Sequence, residues 1–265
     1  MNMDDDQVRP ATESGHAQAD HRIKYPAEHQ DEHQAVDSQG DGAEVIGPFR
    51  DVRNHNRGEF LRLGFRPALE TLRRRWRNNG LSADFLGDYV MTFIERGALD
   101  EAHRREAERT TPWNDDPPPD RPTLARGAVT FIVNELLENA MKYSEGTGDA
   151  PVELGVLLDD ESVWVSLVNH ATPAHAARYR AFVQSLFVND VSELFLERLE
   201  AQAASPTSSG LGFLTMLNDY RVVAAWRFRP IERDVGLGDT PFPEVEITTE
   251  IELKISELDR LIVDI

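Results

Sequence analysis

The 265-residue chain contains no cysteine, which removes disulfides and thiolate metal sites from consideration. It has no run of about 18 apolar residues, so nothing in it reads as a membrane-spanning helix. Positive charge is scarce. Lys and Arg number 28 against 47 Asp and Glu, a formal net charge of −19. That balance disfavours non-specific binding of the whole molecule to nucleic acid or anionic membrane. The opening residues "MNMDDDQVRP" are acidic where a secretory signal would be basic and then apolar. The expectation is a cytoplasmic protein. Apolar content is ordinary at 40%, enough for a sizeable core in one large domain or two small ones.

Charge is unevenly distributed along the chain. Residues 1–44 hold 11 acidic and 3 basic residues, a net of −8, with few apolar side chains. Such a segment buries too little surface to offset its ordering entropy, so it reads as a disordered acidic tail. It carries His16, His21, His29 and His33, whose spacings match no metal-ligand pattern. Order is expected to begin near "EVIGPF", residues 44–49. Residues 50–77 reverse the sign, with nine Arg against three acidic residues. "RPALETLRRRWRN" predicts a helix over about 67–79, ended by "NNG"; Ser82 then caps a second helix that stops at Gly97. The prolines of residues 110–123 mark a loop, and Thr123 caps a long apolar helix.

Two alternating runs, 152–158 and 162–169, predict a β-hairpin. Residues 173–204 return to helical periodicity as two helices meeting near Asn189-Asp190. A short helix to about Tyr220 and two further strands, 221–230 and 244–256, complete the pattern. The fold class expected is α/β (α+β): a two-layer sandwich with a mixed, largely antiparallel sheet covered by helices on one face. Trp76, Trp164 and Trp226 read as core, Trp113 as a candidate partner anchor, and His170 and His175 as surface or packing residues. "GLGD", residues 236–239, reads as a turn between strands.

Two stretches carry chemistry. In "NELLENAMKYS", residues 134–144, Glu135, Asn139 and Lys142 fall within about 60° of one another on a helix, beside a core face of Val129, Ile132, Leu136 and Ala140. A carboxylate, an amide and an ammonium group in one stripe make either a solvated edge or one wall of a site. In "SSGLGF", residues 208–213, Gly210 and Gly212 permit close backbone approach to a ligand, and the helix that follows offers free N–H groups to a phosphate. A flexible turn is the bland alternative.

Together, "NELLENAMKYS" and "SGLGFLTMLNDY" resemble the Bergerat-fold (GHKL) ATP-binding domain of gyrase, chaperone and MutL-type ATPases and histidine kinases. They resemble most the anti-sigma factor serine kinases of partner-switching systems, and a related regulator family found in cyanobacteria among others, to which "WRNNGLSADFLGDYV" also points. The resemblance covers about residues 55–255. It divides the chain into the tail, an N-terminal helical part at 45–123, and an ATP-binding-like domain at 124–265 with a helical insertion at 173–204 in the lid region.

The resemblance implies roles. Glu135 is the general base, and Asn139 the Mg²⁺ ligand beside the ATP phosphates. Lys142 contacts phosphate or ribose, and Tyr143 lies near adenine. Ser209, Gly210, Leu211 and Gly212 form the phosphate loop. The family's Asp-x-Gly-x-Gly is missing: Asn169 stands at the Asp position in "LVNHATPAHAA". The function expected is a regulator that binds a small partner of the anti-sigma-antagonist type and phosphorylates its Ser or Thr from ATP and Mg²⁺. The alternative is a catalytically silent interaction module on the same fold. Nucleic-acid binding through the arginines of 50–77 is a minor third reading, and family kinases of this class often dimerise.

Overall fold

The computed structural model describes residues 42–54, 58–66, 72–94, 120–143, 150–204, 211–233 and 242–263. Six strands are described: β1 Glu44–Ile46, β2 Glu59–Phe65, β3 Val152–Leu158, β4 Ser162–Ala171, β5 Val223–Arg233 and β6 Phe242–Lys254. They form one sheet in the order β1-β5-β6-β4-β3-β2. Every pairing is antiparallel, so the expected mixed character is absent among the described strands. The described helices are α1 Leu72–Met91, α2 Arg121–Tyr143, α3 Pro173–Val188, α4 Val191–Ala204, α5 Leu211–Asn218 and α6 Ile255–Val263. None is long and apolar enough to cross a membrane.

Period-two alternation assigns the two faces of the sheet. Val163, Val165 and Leu167 of β4 pair across to Leu253, Ile251 and Thr249 of β6, and Ala224, Trp226 and Phe228 of β5 share that face. These side chains are buried with Ile132, Leu136 and Leu137 of α2 and Phe213, Leu214 and Met216 of α5 in one core. Burying side chains of this size contributes about 1.5–3 kcal/mol each. Helix α1 lies outside this layer, on α2. Gly87 makes that approach possible: a Cβ there would overlap Thr130 Oγ1 and come 2.9 Å from the Arg126 carbonyl oxygen. Gly87→Ala is therefore expected to push the two helices apart and cost about 1–3 kcal/mol, read from the midpoint of urea denaturation.

Among the described residues, the other face of the sheet is covered by an irregular segment with one 3-10 turn, Val52–Asn54. β1 and β2 occupy opposite edges, so the segment joining them must cross the sheet. Gly47 and Gly58 turn it at either end with φ of +82° and +100°. Between them Val52 packs on Leu157 and Trp164, and Arg50 stacks over the Trp164 ring.

Several local expectations need correction. Helix α1 runs through Asn78-Asn79-Gly80 and Ser82 instead of breaking there. The buried Asn79 amide donates to the Met141 sulfur at 3.7 Å, and burial of Ala83, Leu86 and Val90 on α2 outweighs the glycine's helix cost. The long helix starts at Arg121, and Asp120, not Thr123, caps it: the Asp120 carboxylate accepts from Thr123 N at 3.0 Å. β6 stops at Lys254, because Ile255 begins an amphipathic helix whose Leu258 enters the core. The part expected to be helical, 45–123, contributes β2 and most of β1 to the sheet. The acidic tail lies outside the described residues except at its end, where Ala43 is buried and Glu44 opens β1. Trp113, "GLGD" and Gly97 also lie outside them.

Candidate functional site

Helix α2 places Glu135 and Asn139 on a half-buried edge between its core face and solvent, and Lys142 on the exposed side. Val129, Ile132, Leu136 and Ala140 are buried, as the stripe geometry requires. The two motifs meet in space. A Cβ on Gly212 would overlap the Glu135 carboxylate, so the glycine at the start of α5 leaves the room that this carboxylate fills. The first N–H groups of a helix lack intrahelical partners and carry its positive dipole end. Glu135 is thus held against the described beginning of α5.

Burial pushes the Glu135 carboxyl above its ordinary value of 4.5, and the neighbouring Glu138 carboxylate adds to the rise. Such a shift moves a carboxylate toward the range of a general base at neutral pH. Glu138 itself accepts from Asn134 Nδ2 at 3.0 Å. Replacing Glu138 by Gln removes the like charge and is expected to bring the Glu135 pKa back toward 4.5, measured by carbon NMR of the labelled carboxyl groups.

Asn139 and Asn169 line one small cleft with Leu136, Ala140, Leu167, Tyr179 and Thr249. Asn169 is buried on the core face of β4 opposite Ile247. Tyr179, from α3, closes this cleft. Its ring packs among Phe182, Phe213 and Phe228, and its hydroxyl accepts from Trp226 Nε1 at 3.0 Å. The remaining cavity is about 10 Å³, room for roughly one water and far less than a purine ring. Thr172 caps α3, accepting from His175 N at 3.3 Å. The chain therefore turns into helix directly after β4, where the family it resembles carries glycines.

The arrangement brings together Glu135, Gly212, Asn139 and Asn169, with Leu211 beside them as the first residue of α5. Lys142 lies outside that cluster on its exposed edge. Ser209, Gly210 and the Tyr143 side chain fall outside the described part of the chain. Sequence reasoning missed Tyr179 and Thr249. The only signal for Tyr179 is its place on the apolar stripe Ala176, Tyr179, Val183 and Leu186 of α3.

Of the described arginines of the basic segment, Arg50, Arg53 and Arg62 are engaged within the chain. Arg53 pairs with Glu153, and Arg62 donates to the Arg53 carbonyl. They wall a cavity of about 190 Å³ on the strap side of the sheet, with Gly64, Gly155 and Ser166 at its floor. Engaged in this way, these arginines offer little support to the nucleic-acid reading. His170 lies 4.0 Å from Glu246, a packing position on the sheet, and among the described residues no group of three or more His, Cys, Asp or Glu could hold a metal ion.

No family model matches the sequence, and no curated protein sequence matches it. Among solved structures, a chain in the crystal structure of the SiaB–SiaC complex from Pseudomonas aeruginosa aligns with it. The alignment covers 60% of this chain and 85% of that one, at 15% identity and a TM-score of 0.35.

Proposed function

We propose that this chain is a partner-binding regulator of the histidine-kinase-like ATPase type, which transfers phosphate from ATP to a serine or threonine of a small antagonist-type protein. The observation that carries the reading is the meeting of Glu135 with Gly212, one helical turn from Asn139. In this reading the Asn139 carbonyl oxygen and nucleotide phosphates share Mg²⁺, which is commonly held by few protein oxygens. The start of α5 receives the phosphates, and Glu135 accepts the proton of the attacking hydroxyl.

At the phosphate end, Gly212 leaves the room that the Glu135 carboxylate occupies, and Ser209 and Gly210 lie outside the described residues. The base end, closed by Tyr179, does not fit as it stands, so binding requires α3 to move. Calorimetric titration of the purified protein with ATP, with and without Mg²⁺, tests this. Wild type is expected to bind, and Asn139→Ala to lose the Mg²⁺-dependent part while staying folded.

The second reading is a silent interaction module, favoured by that 10 Å³ cleft. No affinity up to about 1 mM in wild type and in Tyr179→Ala alike would establish it, because removing the ring opens the base end.

A further inference from the structure

The cavity of about 190 Å³ on the strap side lies across the sheet from the helices that carry Glu135 and Gly212. Arg62, Gly155 and Ser166 are paired neighbours on β2, β3 and β4, and Gly64 shares the Arg62 face of β2. Glycine inside a strand weakens it, and marks a bulge or the close approach of another group. No bulge is present, since the register is continuous from β2 through β4, and neither glycine has a positive φ. At Gly155 the close group is the Ser166 hydroxyl, 2.8 Å from where a Cβ would stand; at Gly64 nothing lies within 4 Å. The buried Ser166 hydroxyl has no hydrogen-bond partner among the described residues.

Two guanidinium groups stand at this bare floor. Arg53 spends one donor on Glu153. Arg62 donates to the Arg53 carbonyl and lies 5.5 Å over the Phe60 ring, so both its described partners are neutral. A guanidinium has five N–H donors, which leaves several on each. An arginine in open water needs no counterion. This one lines a hollow, in a chain with 47 acidic residues against 28 basic ones, and no described carboxylate pairs with it.

We propose that this cavity binds a small phosphate monoester, its phosphate held by Arg62, Arg53 and the Ser166 hydroxyl and its organic part lying on the glycine floor. Three separate side chains suit the three outer oxygens of a tetrahedral phosphate, whereas one guanidinium fork would match a planar carboxylate. Two arginines less Glu153 leave the walls at +1, which suits a single phosphate rather than a row of them. The volume exceeds the ~150 Å³ that takes benzene, so the phosphate fits with a few further heavy atoms. A free small molecule and a phosphorylated side chain both present this group.

The test is titration of the full chain with glycerol phosphate and with doubly capped O-phosphoserine, without ATP or Mg²⁺, followed by amide NMR. Shifts are expected at Gly64 and Gly155, with a Kd below about 1 mM for at least one probe. Arg62→Ala is expected to weaken binding at least about tenfold. Gly64→Val suits a strand and fills the floor, so it should do the same with the fold intact. Glu153→Gln should tighten binding about threefold or more, because it frees Arg53 and removes a like charge; loss of a purely structural ion pair would not. Tighter binding of glycerol phosphate marks a free ester as the source, and tighter binding of the capped serine a phosphorylated side chain. No shift at these amides up to about 10 mM of either probe overturns the proposal. So does binding that survives Gly64→Val, or acetate binding as tightly as the esters. The cavity lies on the opposite face from the Glu135 cleft and the readout needs no nucleotide, so its failure is separable from failure of the functional reading.

Discussion

Glu250→Ala is expected to destabilise the protein by about 2–4 kcal/mol and to loosen the strap over the sheet before the core. Glu250 stands on β6 facing the strap, where its two carboxylate oxygens accept from Arg50 N at 2.9 Å and Val52 N at 2.8 Å. Asp51 between them has φ of +54°, a left-handed residue that turns successive amides toward one point. Consecutive amides so turned form a concavity suited to an anion. Here the anion is a side chain of the protein itself. Alanine would orphan two amides, each costing about 1–3 kcal/mol where buried, with some relief from relaxation of the strap. Hydrogen exchange at residues 50–54 should quicken more than exchange in β4 or β6; uniform quickening would mean that the strap and core unfold as one unit.

The same carboxylate gives the stability a pH signature. Burial pushes Glu250 above its ordinary 4.5, Asp51 adds to the rise, and the strap amides oppose it without cancelling it. The folded state therefore binds the proton more tightly than the unfolded chain does. Its contribution is fully present below about 4.5 and is lost as pH rises through the raised folded value. On acidification from neutrality toward 4.5 this group should add stability, and Glu250→Gln should flatten that part of the curve. Gln is also expected to cost stability outright, since its NH₂ would face one of the two donating amides.

The strap shows where sequence reading meets its limit. Glu244, Glu246, Glu250 and Glu252 alternate along β6 with Ile247 and Ile251, a pattern that reads as one wet face and one dry face. Glu244, Glu250 and Glu252 are nonetheless buried, because chain crosses above them, Ser162 donates to Glu252 and arginines of β5 reach Glu246. Long-range covering of this kind has no local signal. β2 alternates Leu61, Leu63 and Phe65 toward the core, but it lies in a segment whose arginines dominate the composition. By contrast, the β3–β4 hairpin, the break between α3 and α4 at Asn189-Asp190, and the half-buried edge carrying Glu135 and Asn139 were all legible. Each follows from periodicity within a single element. The placing of Gly212 on Glu135 joins positions far apart in the chain, and only the resemblance brought them together beforehand. Closure of the cleft by Tyr179 depends on how α3 docks, which periodicity does not encode.

Glu135→Gln is expected to slow phosphate transfer to the partner by about 10²–10⁴-fold while leaving ATP and partner affinity nearly unchanged. A structural carboxylate would behave otherwise. If Glu135 merely paired with an exposed neighbour such as Lys142, its loss would be worth about 0–1 kcal/mol and transfer would survive. The surroundings favour the base. The carboxylate is half-buried, its proton affinity is raised by burial and by Glu138, and it rests against Gly212, the second residue of α5. Gln keeps the shape against Gly212 and removes the ability to take a proton. Gly212→Ala makes the complementary perturbation, because it keeps the carboxylate but drives it from its seat, and it too should depress transfer. The measurement is single-turnover transfer of labelled phosphate from ATP to a small antagonist-type protein that carries the acceptor serine or threonine. Unimpaired transfer by Glu135→Gln would remove Glu135 from the chemistry. Absence of transfer by wild type, with partner binding intact, would leave the interaction module as the function.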